Sequence, residues 1–146
     1  MVQIAEMYSS LQGEGRLAGT PSVFVRTSGC NLRCSWCDTP FTSWKPSGTN
    51  RSVNELVQEV LNHDLSHVVI TGGEPLLSPE INHLCSELKK SKQHITIETA
   101  ATVIPDNGPP SANLMSLSPK LQSSTPASET GWQRRHEARR RRDDII

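Results

Sequence analysis

The sequence lacks the features that mark membrane, secreted and nucleic-acid-binding proteins. No stretch approaches the roughly 18 consecutive apolar residues of a membrane span. Met1 to Ser10 has neither the basic start nor the apolar run of a signal peptide. The formal net charge is zero, which gives no electrostatic case for nucleic acid or an anionic membrane. We therefore expect a cytoplasmic protein that contacts neither a membrane nor nucleic acid directly.

Cysteine is scarce, and its distribution argues against a disulfide framework. Of only four cysteines, three lie in the short run Cys30-Asn-Leu-Arg-Cys34-Ser-Trp-Cys37. This spacing lets three thiolates converge on one side of a tight loop, which indicates metal ligation in a reducing compartment. An iron–sulfur cluster used only for electron transfer usually has four cysteine ligands. A cluster with three ligands has one open iron, which predicts that another molecule binds there and that chemistry follows.

A structural zinc site is the alternative interpretation of this loop. Zinc needs four ligands for a closed site. The fourth cysteine, Cys85, lies on the apolar stripe of a predicted helix, where a core position is the simpler interpretation. His67 or His83 could supply the fourth ligand instead. The loop sequence alone therefore leaves zinc open beside iron.

Alternating strand and helix patterns predict parallel βα units, and so an α/β fold. A capping box, Ser52-Val-Asn-Glu55, predicts a helix to about His63, and Ser78-Pro79 is predicted to begin a second helix. Residues 40–51 have the composition of a loop. The predicted extended segments and strands are 2–9, 22–26, 68–71, 95–98 and 114–117.

Four unusual segments each follow a predicted strand. They are the cysteine loop, Gly72-Gly73-Glu74-Pro75, Glu98-Thr99 and Ser118-Pro119-Lys120. Chemistry in parallel sheets and barrels collects at the carboxyl ends of the strands, so we expect these segments on one face. Glu74 adds a carboxylate beside two glycines. That arrangement suits a ligand with an ammonium group, because the motif has no phosphate-binding lysine.

These motifs together resemble the 7-carboxy-7-deazaguanine synthase family of the radical S-adenosylmethionine (radical SAM) superfamily. The resemblance implies a partial (β/α) barrel of radical SAM type, of which this chain has an incomplete set of parallel βα units. It implies a lyase that converts 6-carboxy-5,6,7,8-tetrahydropterin to 7-carboxy-7-deazaguanine with release of ammonia, in queuosine biosynthesis. The segments that carry it are Leu11 to Gly15, Pro21 to Arg26, Gly29 to Thr39, Thr71 to Pro75, Glu98-Thr99 and Ser116 to Lys120.

The resemblance also implies the site residues. A [4Fe-4S] cluster would be held by Cys30, Cys34 and Cys37, with S-adenosylmethionine on the open iron. The residues implied at the S-adenosylmethionine site are Trp36, Cys37, Asp38, Gly73, Ser118, Pro119 and Lys120. Those implied to contact the pterin are Leu11, Gln12, Gly13, Arg26 and Thr71, with Arg26 suited to its carboxylate. Thr39 matches a Mg²⁺ position. An electron donor such as flavodoxin or ferredoxin and a homodimer are also implied.

The end of the chain departs from the family pattern. Six of the fifteen basic residues are arginines between Arg134 and Arg142. We expect a radical SAM core over 1–131 and a basic, disordered or helical tail over 132–146. Family members continue well past this length, so we interpret the chain as C-terminally truncated. The alternatives are a truncated inactive fragment or cluster-binding module, and a related radical SAM enzyme with a different substrate.

Overall fold

A single mixed sheet organises the chain in the computed structural model, which describes residues 1–145. The strand order is β3-β1-β2-β4-β5-β6. Parallel pairing joins β2 to β4, β4 to β5 and β5 to β6, which confirms the predicted α/β class. The strands are β1 (Val2–Leu11), β2 (Pro21–Thr27), β3 (Thr49–Arg51), β4 (His67–Gly72), β5 (His94–Thr99) and β6 (Leu114–Leu117).

Two strands make an antiparallel edge that the parallel βα pattern did not predict. β1 pairs antiparallel with both β2 and β3. β3 lies inside the segment predicted as loop over 40–51, and its three residues pair with Val2, Gln3 and Ile4. The prediction of loop throughout 40–51 was therefore wrong at its end. A three-residue polar strand has no alternating pattern to reveal it.

Three α-helices are present: α1 (Val53–Asn62), α2 (Ile81–Lys90) and α3 (Gln133–Arg140). α1 begins at the predicted capping box, with both reciprocal hydrogen bonds between Ser52 and Glu55 formed. α2 begins at Ile81 rather than at Ser78-Pro79. Ser78 is extended, as a residue before proline prefers. Within residues 1–145, no helix combines the length and apolar character that a membrane crossing requires.

The main core lies between the sheet and the helices α1 and α2. Alternate residues of the strands, such as Val68 and Ile70 in β4, pack with the apolar stripes of both helices. Cys85 in α2 is fully buried in this core, as predicted, and burial raises the pKa of its thiol to about 12. This cysteine is therefore a core residue and stays protonated at neutral pH.

The capping box of α1 generates a stability prediction. We expect Ser52→Ala to lower the free energy of unfolding by about 1 kcal/mol, because the Glu55 backbone N–H loses its hydroxyl acceptor. Ser52→Asp is the matched control, since its carboxylate can accept the same hydrogen bond. Urea unfolding followed by circular dichroism measures both variants. Equal stability of Ser52→Ala and the unsubstituted chain would contradict the role of the cap.

Candidate functional site

The carboxyl ends of the parallel strands surround a cavity of about 680 Å³, a size typical of small-molecule sites. All four unusual segments of the sequence contribute to its wall. The cysteine loop follows β2, Gly72 and Gly73 follow β4, Thr99 ends β5, and Ser118 and Lys120 follow β6. The prediction that these segments share one face is therefore confirmed. Parallel pairing of β2, β4, β5 and β6 places the carboxyl ends of these four strands at the same edge of the sheet.

The three cysteines of the loop line this cavity over a small apolar seat. Cys34 is buried with Leu32 and Ala100, and Cys30 and Cys37 pack against this cluster. Burial raises the pKa of the Cys30 thiol to about 11 and also raises the pKa of Cys34. Thiolates in such a seat need the positive charge of bound metal. The donor set of three sulfur atoms on one wall fits a [4Fe-4S] cluster with one open iron.

The two histidines that could have completed a zinc site lie away from the loop. His67 begins β4 at the opposite end from the cysteines and packs against His94, with 4.7 Å between the centroids of the two tilted rings. His83 lies on α2 beside Glu80 and Glu87. Within residues 1–145, no three His, Cys, Asp or Glu side chains are close enough to share one metal ion. A [4Fe-4S] cluster with three cysteine ligands needs no histidine, whereas a closed zinc site would need a fourth ligand.

Gly73 packs its backbone directly on the cysteine loop. The Glu74 N–H donates to the Gly29 carbonyl at 2.9 Å, and the Gly73 N–H donates to the Thr27 carbonyl at 3.3 Å. A Cβ at Gly73 would lie 2.2 Å from the Gly29 oxygen and 2.8 Å from the Cys30 Cβ. No other residue fits without moving the loop. The glycine pair therefore does more than turn the chain after β4.

Glu74 faces the protein interior, so the predicted contact of its carboxylate with a ligand ammonium group is wrong. Its side chain is 1% exposed and is absent from the cavity wall. The carboxylate accepts hydrogen bonds from the Thr99 hydroxyl at 2.8 Å and the Ala100 N–H at 3.0 Å. Burial raises the pKa of Glu74. The residue connects the loop after β4 to the loop after β5.

Most residues implied at the S-adenosylmethionine site share the cavity. The cavity is lined by Trp36, Cys37, Asp38, Gly73, Ser118 and Lys120, whereas Pro119 is not on its wall. Trp36 is 55% exposed, and its indole N–H donates to the Ser123 carbonyl at 3.1 Å. The Lys120 ammonium lies 5.9 Å from the centre of the Trp36 ring. These contacts bring the end of the cysteine loop together with the segment after β6.

Three of the five residues implied at the pterin site lie on the cavity wall. Gly13, Arg26 and Thr71 line the cavity. The side chain of Gln12 instead donates to the Ser22 hydroxyl at 2.9 Å and borders a neighbouring cavity of about 150 Å³. Leu11 is 59% exposed and lies on neither wall.

Arg26 is oriented by β1, and Thr39 supplies the hydroxyl implied at the Mg²⁺ position. The Arg26 Nε donates to Glu6 at 2.7 Å, and Nη2 donates to the Tyr8 hydroxyl at 2.9 Å. Thr39 lies on the cavity wall with its hydroxyl 3.4 Å from the Asp38 carboxylate. Two neighbouring oxygen donors suit Mg²⁺ only when substrate and water supply further ligands.

Sequence reasoning missed three residues that hold the cysteine loop from behind. The Trp44 indole N–H donates to the Cys34 carbonyl at 3.0 Å. The Ser124 carbonyl accepts a hydrogen bond from the Ser35 N–H at 2.9 Å. His136 of α3 accepts the Arg33 N–H at Nδ1. The separation between Arg33 and His136 is 103 residues, so no local pattern could have linked them.

Comparison with known proteins shows the family to which the chain is similar. The sequence model of the Radical SAM superfamily matches residues 24–120. A 7-carboxy-7-deazaguanine synthase from Rhodopirellula baltica is 54% identical over 123 residues, covering 84% of this chain and 47% of that protein. Another from Halobacterium salinarum is 50% identical over 144 residues, covering 94% of this chain and 55% of that protein. The matches confirm the resemblance that the motifs indicated.

A solved structure shows the same architecture. The crystal structure of QueE from Escherichia coli superimposes with a TM-score of 0.69 at 31% sequence identity. The match covers 83% of this chain and 60% of QueE. The chain thus spans about half the length of the curated relatives it matches. The Halobacterium salinarum match covers 94% of this chain, so the part outside the match is shorter than the segment 132–146. Part of this basic segment therefore belongs to the matched region.

The close approach at Gly73 generates a second prediction. We expect Gly73→Ala to lower iron binding by at least about tenfold, because the new Cβ displaces the backbone beside Cys30. Iron content after anaerobic reconstitution measures the effect. Gly13→Ala is the matched control, because a Cβ there meets nothing within 4 Å. Full iron binding by Gly73→Ala would contradict the proposed crowding.

Proposed function

The chain belongs to the radical SAM superfamily, and we propose that it acts as a 7-carboxy-7-deazaguanine synthase. The reaction converts 6-carboxy-5,6,7,8-tetrahydropterin to 7-carboxy-7-deazaguanine with release of ammonia, in the biosynthesis of queuosine and related 7-deazapurines. One observation carries the proposal. The three-cysteine loop, Gly73 and Arg26 meet at a single cavity whose volume is about 680 Å³.

The cysteine loop and its neighbours would hold the cofactors. Cys30, Cys34 and Cys37 would ligate the [4Fe-4S] cluster, and the cavity in front of them leaves room for S-adenosylmethionine. Once bound, the two cofactors supply one-electron cleavage of a carbon–sulfur bond and abstraction of a hydrogen atom from the substrate. Ser118 and Lys120 would contact the polar groups of S-adenosylmethionine from the segment after β6. The apolar seat of Leu32 and Ala100 excludes water behind the cluster.

Arg26 would bind the carboxylate of the pterin. Its hydrogen bonds to Glu6 and Tyr8 use the Nε–H and one N–H of Nη2, which leaves both N–H groups of Nη1 and one of Nη2 for the substrate. The ion pair with Glu6 does not neutralise the site fully, because Glu6 is itself 43% exposed and screened by solvent. Thr71 is the register partner of Arg26 on the adjacent β4 and lines the same wall. The pterin would therefore lie across β2 and β4.

Mg²⁺ would bind at Thr39, with Asp38 beside it. A hard cation there can bridge protein and substrate oxygens, since Mg²⁺ shares its coordination with substrate and water. We further propose a reducing cytoplasmic setting, an electron donor such as flavodoxin or ferredoxin, and a homodimer. These proposals follow from the family resemblance.

A cluster-binding module without turnover is the alternative function. The observation behind it is that the match covers 47% of the Rhodopirellula baltica relative. Both functions require the cluster. They differ only in whether the pterin is consumed.

Anaerobic reconstitution tests the proposal. We expect about four irons per chain, and formation of 5′-deoxyadenosine and 7-carboxy-7-deazaguanine when the pterin, S-adenosylmethionine and a reductant are present. Cys34→Ala should abolish cluster absorbance, because the cluster loses one of its three ligands. Cys85→Ala is the matched control, since Cys85 lies in the core away from the loop. Cluster binding without product would favour the module, and an intact cluster in Cys34→Ala would refute the ligand assignment.

Arg26 generates a separate prediction. We expect Arg26→Lys to raise KM for the pterin by at least about tenfold, because lysine lacks the planar fork that binds a carboxylate on two sides. The affinity for S-adenosylmethionine should stay unchanged, and equilibrium dialysis provides that control. An unchanged KM for the pterin would argue against the carboxylate contact.

A further inference from the structure

His136 is a fully buried histidine in an otherwise basic and exposed helix. Its Nδ1 lies 3.1 Å from the backbone nitrogen of Arg33, and its Nε2 lies 2.9 Å from the Ser124 hydroxyl oxygen. The Arg33 N–H can only donate, so Nδ1 must be an unprotonated acceptor. The imidazole is therefore neutral, with its proton on Nε2.

The hydrogen bonds of His136 continue through the Ser124 hydroxyl to the Leu121 carbonyl. The Nε2–H of His136 donates to the Ser124 hydroxyl, and this hydroxyl donates to the Leu121 carbonyl at 2.6 Å. Every donor in the series has an acceptor. Burial lowers the pKa of His136, which agrees with the neutral form.

His136 and Ser124 accept hydrogen bonds from the backbone on both sides of Cys34. The backbone N–H before Cys34, that of Arg33, donates to His136, and the N–H after it, that of Ser35, donates to the Ser124 carbonyl at 2.9 Å. The two residues that receive these bonds are themselves hydrogen-bonded to each other. The backbone on both sides of Cys34 is thus fixed by one rigid unit from the C-terminal segment.

Other contacts join α3 to the same loop. The Arg33 guanidinium lies 4.0 Å from the centre of the Trp132 ring, a close cation–π contact. The Arg139 guanidinium donates to the Asn31 carbonyl at 3.3 Å. The Trp132 contact joins half-buried residues and the Arg139 contact is exposed, whereas His136 is fully buried and accepts a directional hydrogen bond from the Arg33 N–H.

We propose that His136 is a positioning residue for the cluster, which holds Cys34 in ligand geometry through the backbone N–H of Arg33. The inference rests on the proposed function, because it assumes that Cys34 ligates iron. Groups that orient metal ligands affect metal affinity although they do not touch the metal. The basic segment after residue 131 therefore contributes to the cluster site through a neutral buried side chain, in addition to the contacts of Trp132 and Arg139.

Two variants separate the acceptor of His136 from its donor. The amide oxygen of Asn overlaps Nδ1 of histidine, so His136→Asn keeps the acceptor for Arg33. The amide nitrogen of Gln overlaps Nε2, so His136→Gln keeps only the donor to Ser124. We expect His136→Asn to bind iron and give the electron paramagnetic resonance spectrum of the unsubstituted chain. His136→Gln should lose about tenfold in iron affinity and give an altered spectrum.

Amide hydrogen exchange of the iron-free chain gives a readout that does not depend on the cluster. We expect the Arg33 N–H to remain protected in His136→Asn and to exchange faster in His136→Gln. His83→Asn and His83→Gln are the matched controls, because His83 lies on the exposed surface of α2. Neither should change iron binding or exchange at Arg33.

Equal behaviour of the two His136 variants, whether both keep or both lose the cluster, would overturn the inference. Equal exchange at Arg33 in the two variants would also overturn it. Failure of the unsubstituted chain to bind iron would contradict the proposed function instead. In that case a selective loss of Arg33 protection in His136→Gln would still support the positioning bond.

Discussion

The arrangement of the site depends on a backbone contact between the loops that follow β2 and β4. Parallel pairing of these strands brings Gly73 against Gly29, so closely that a Cβ at Gly73 would lie 2.2 Å from the Gly29 oxygen. Two backbone hydrogen bonds, from Gly73 to Thr27 and from Glu74 to Gly29, hold the loops together. The cysteines can therefore face a cavity in front of the sheet, because the chain behind them is fixed.

Buried polar groups extend this contact to the rest of the site. Glu74 accepts hydrogen bonds from Thr99 and Ala100, and these bonds attach the loop after β5 to the loop after β4. His136 and Ser124 hold the other side of the cysteine loop. Each of these buried groups is satisfied by partners in sequence-distant segments, and a buried polar group that loses its partner is costly. The loop is thus held from two directions before any cofactor binds.

Electrostatics explain why such a loop needs metal. Burial raises the pKa of Cys30 to about 11, so the free thiol stays protonated at neutral pH. Metal binding supplies the positive charge that favours the thiolate, and it releases protons as it does so. The same apolar surroundings that disfavour the free thiolate keep water from the bound cluster. The site is therefore suited to a resident cofactor.

The sequence by itself determined the chemistry of the site and the class of the fold. The informative patterns are local: the cysteine spacing, the glycine pair after a buried strand and the capping box before α1. Local patterns can be identified without knowledge of the tertiary structure. Only the tertiary structure decided that Glu74 turns inward, that residues 49–51 form an edge strand, and that His136 reaches Arg33. The physical reason is sequence separation. Hydrogen bonds between residues 25 or 103 positions apart in the sequence depend on how the strands and α3 pack. No periodicity in the sequence indicates that packing.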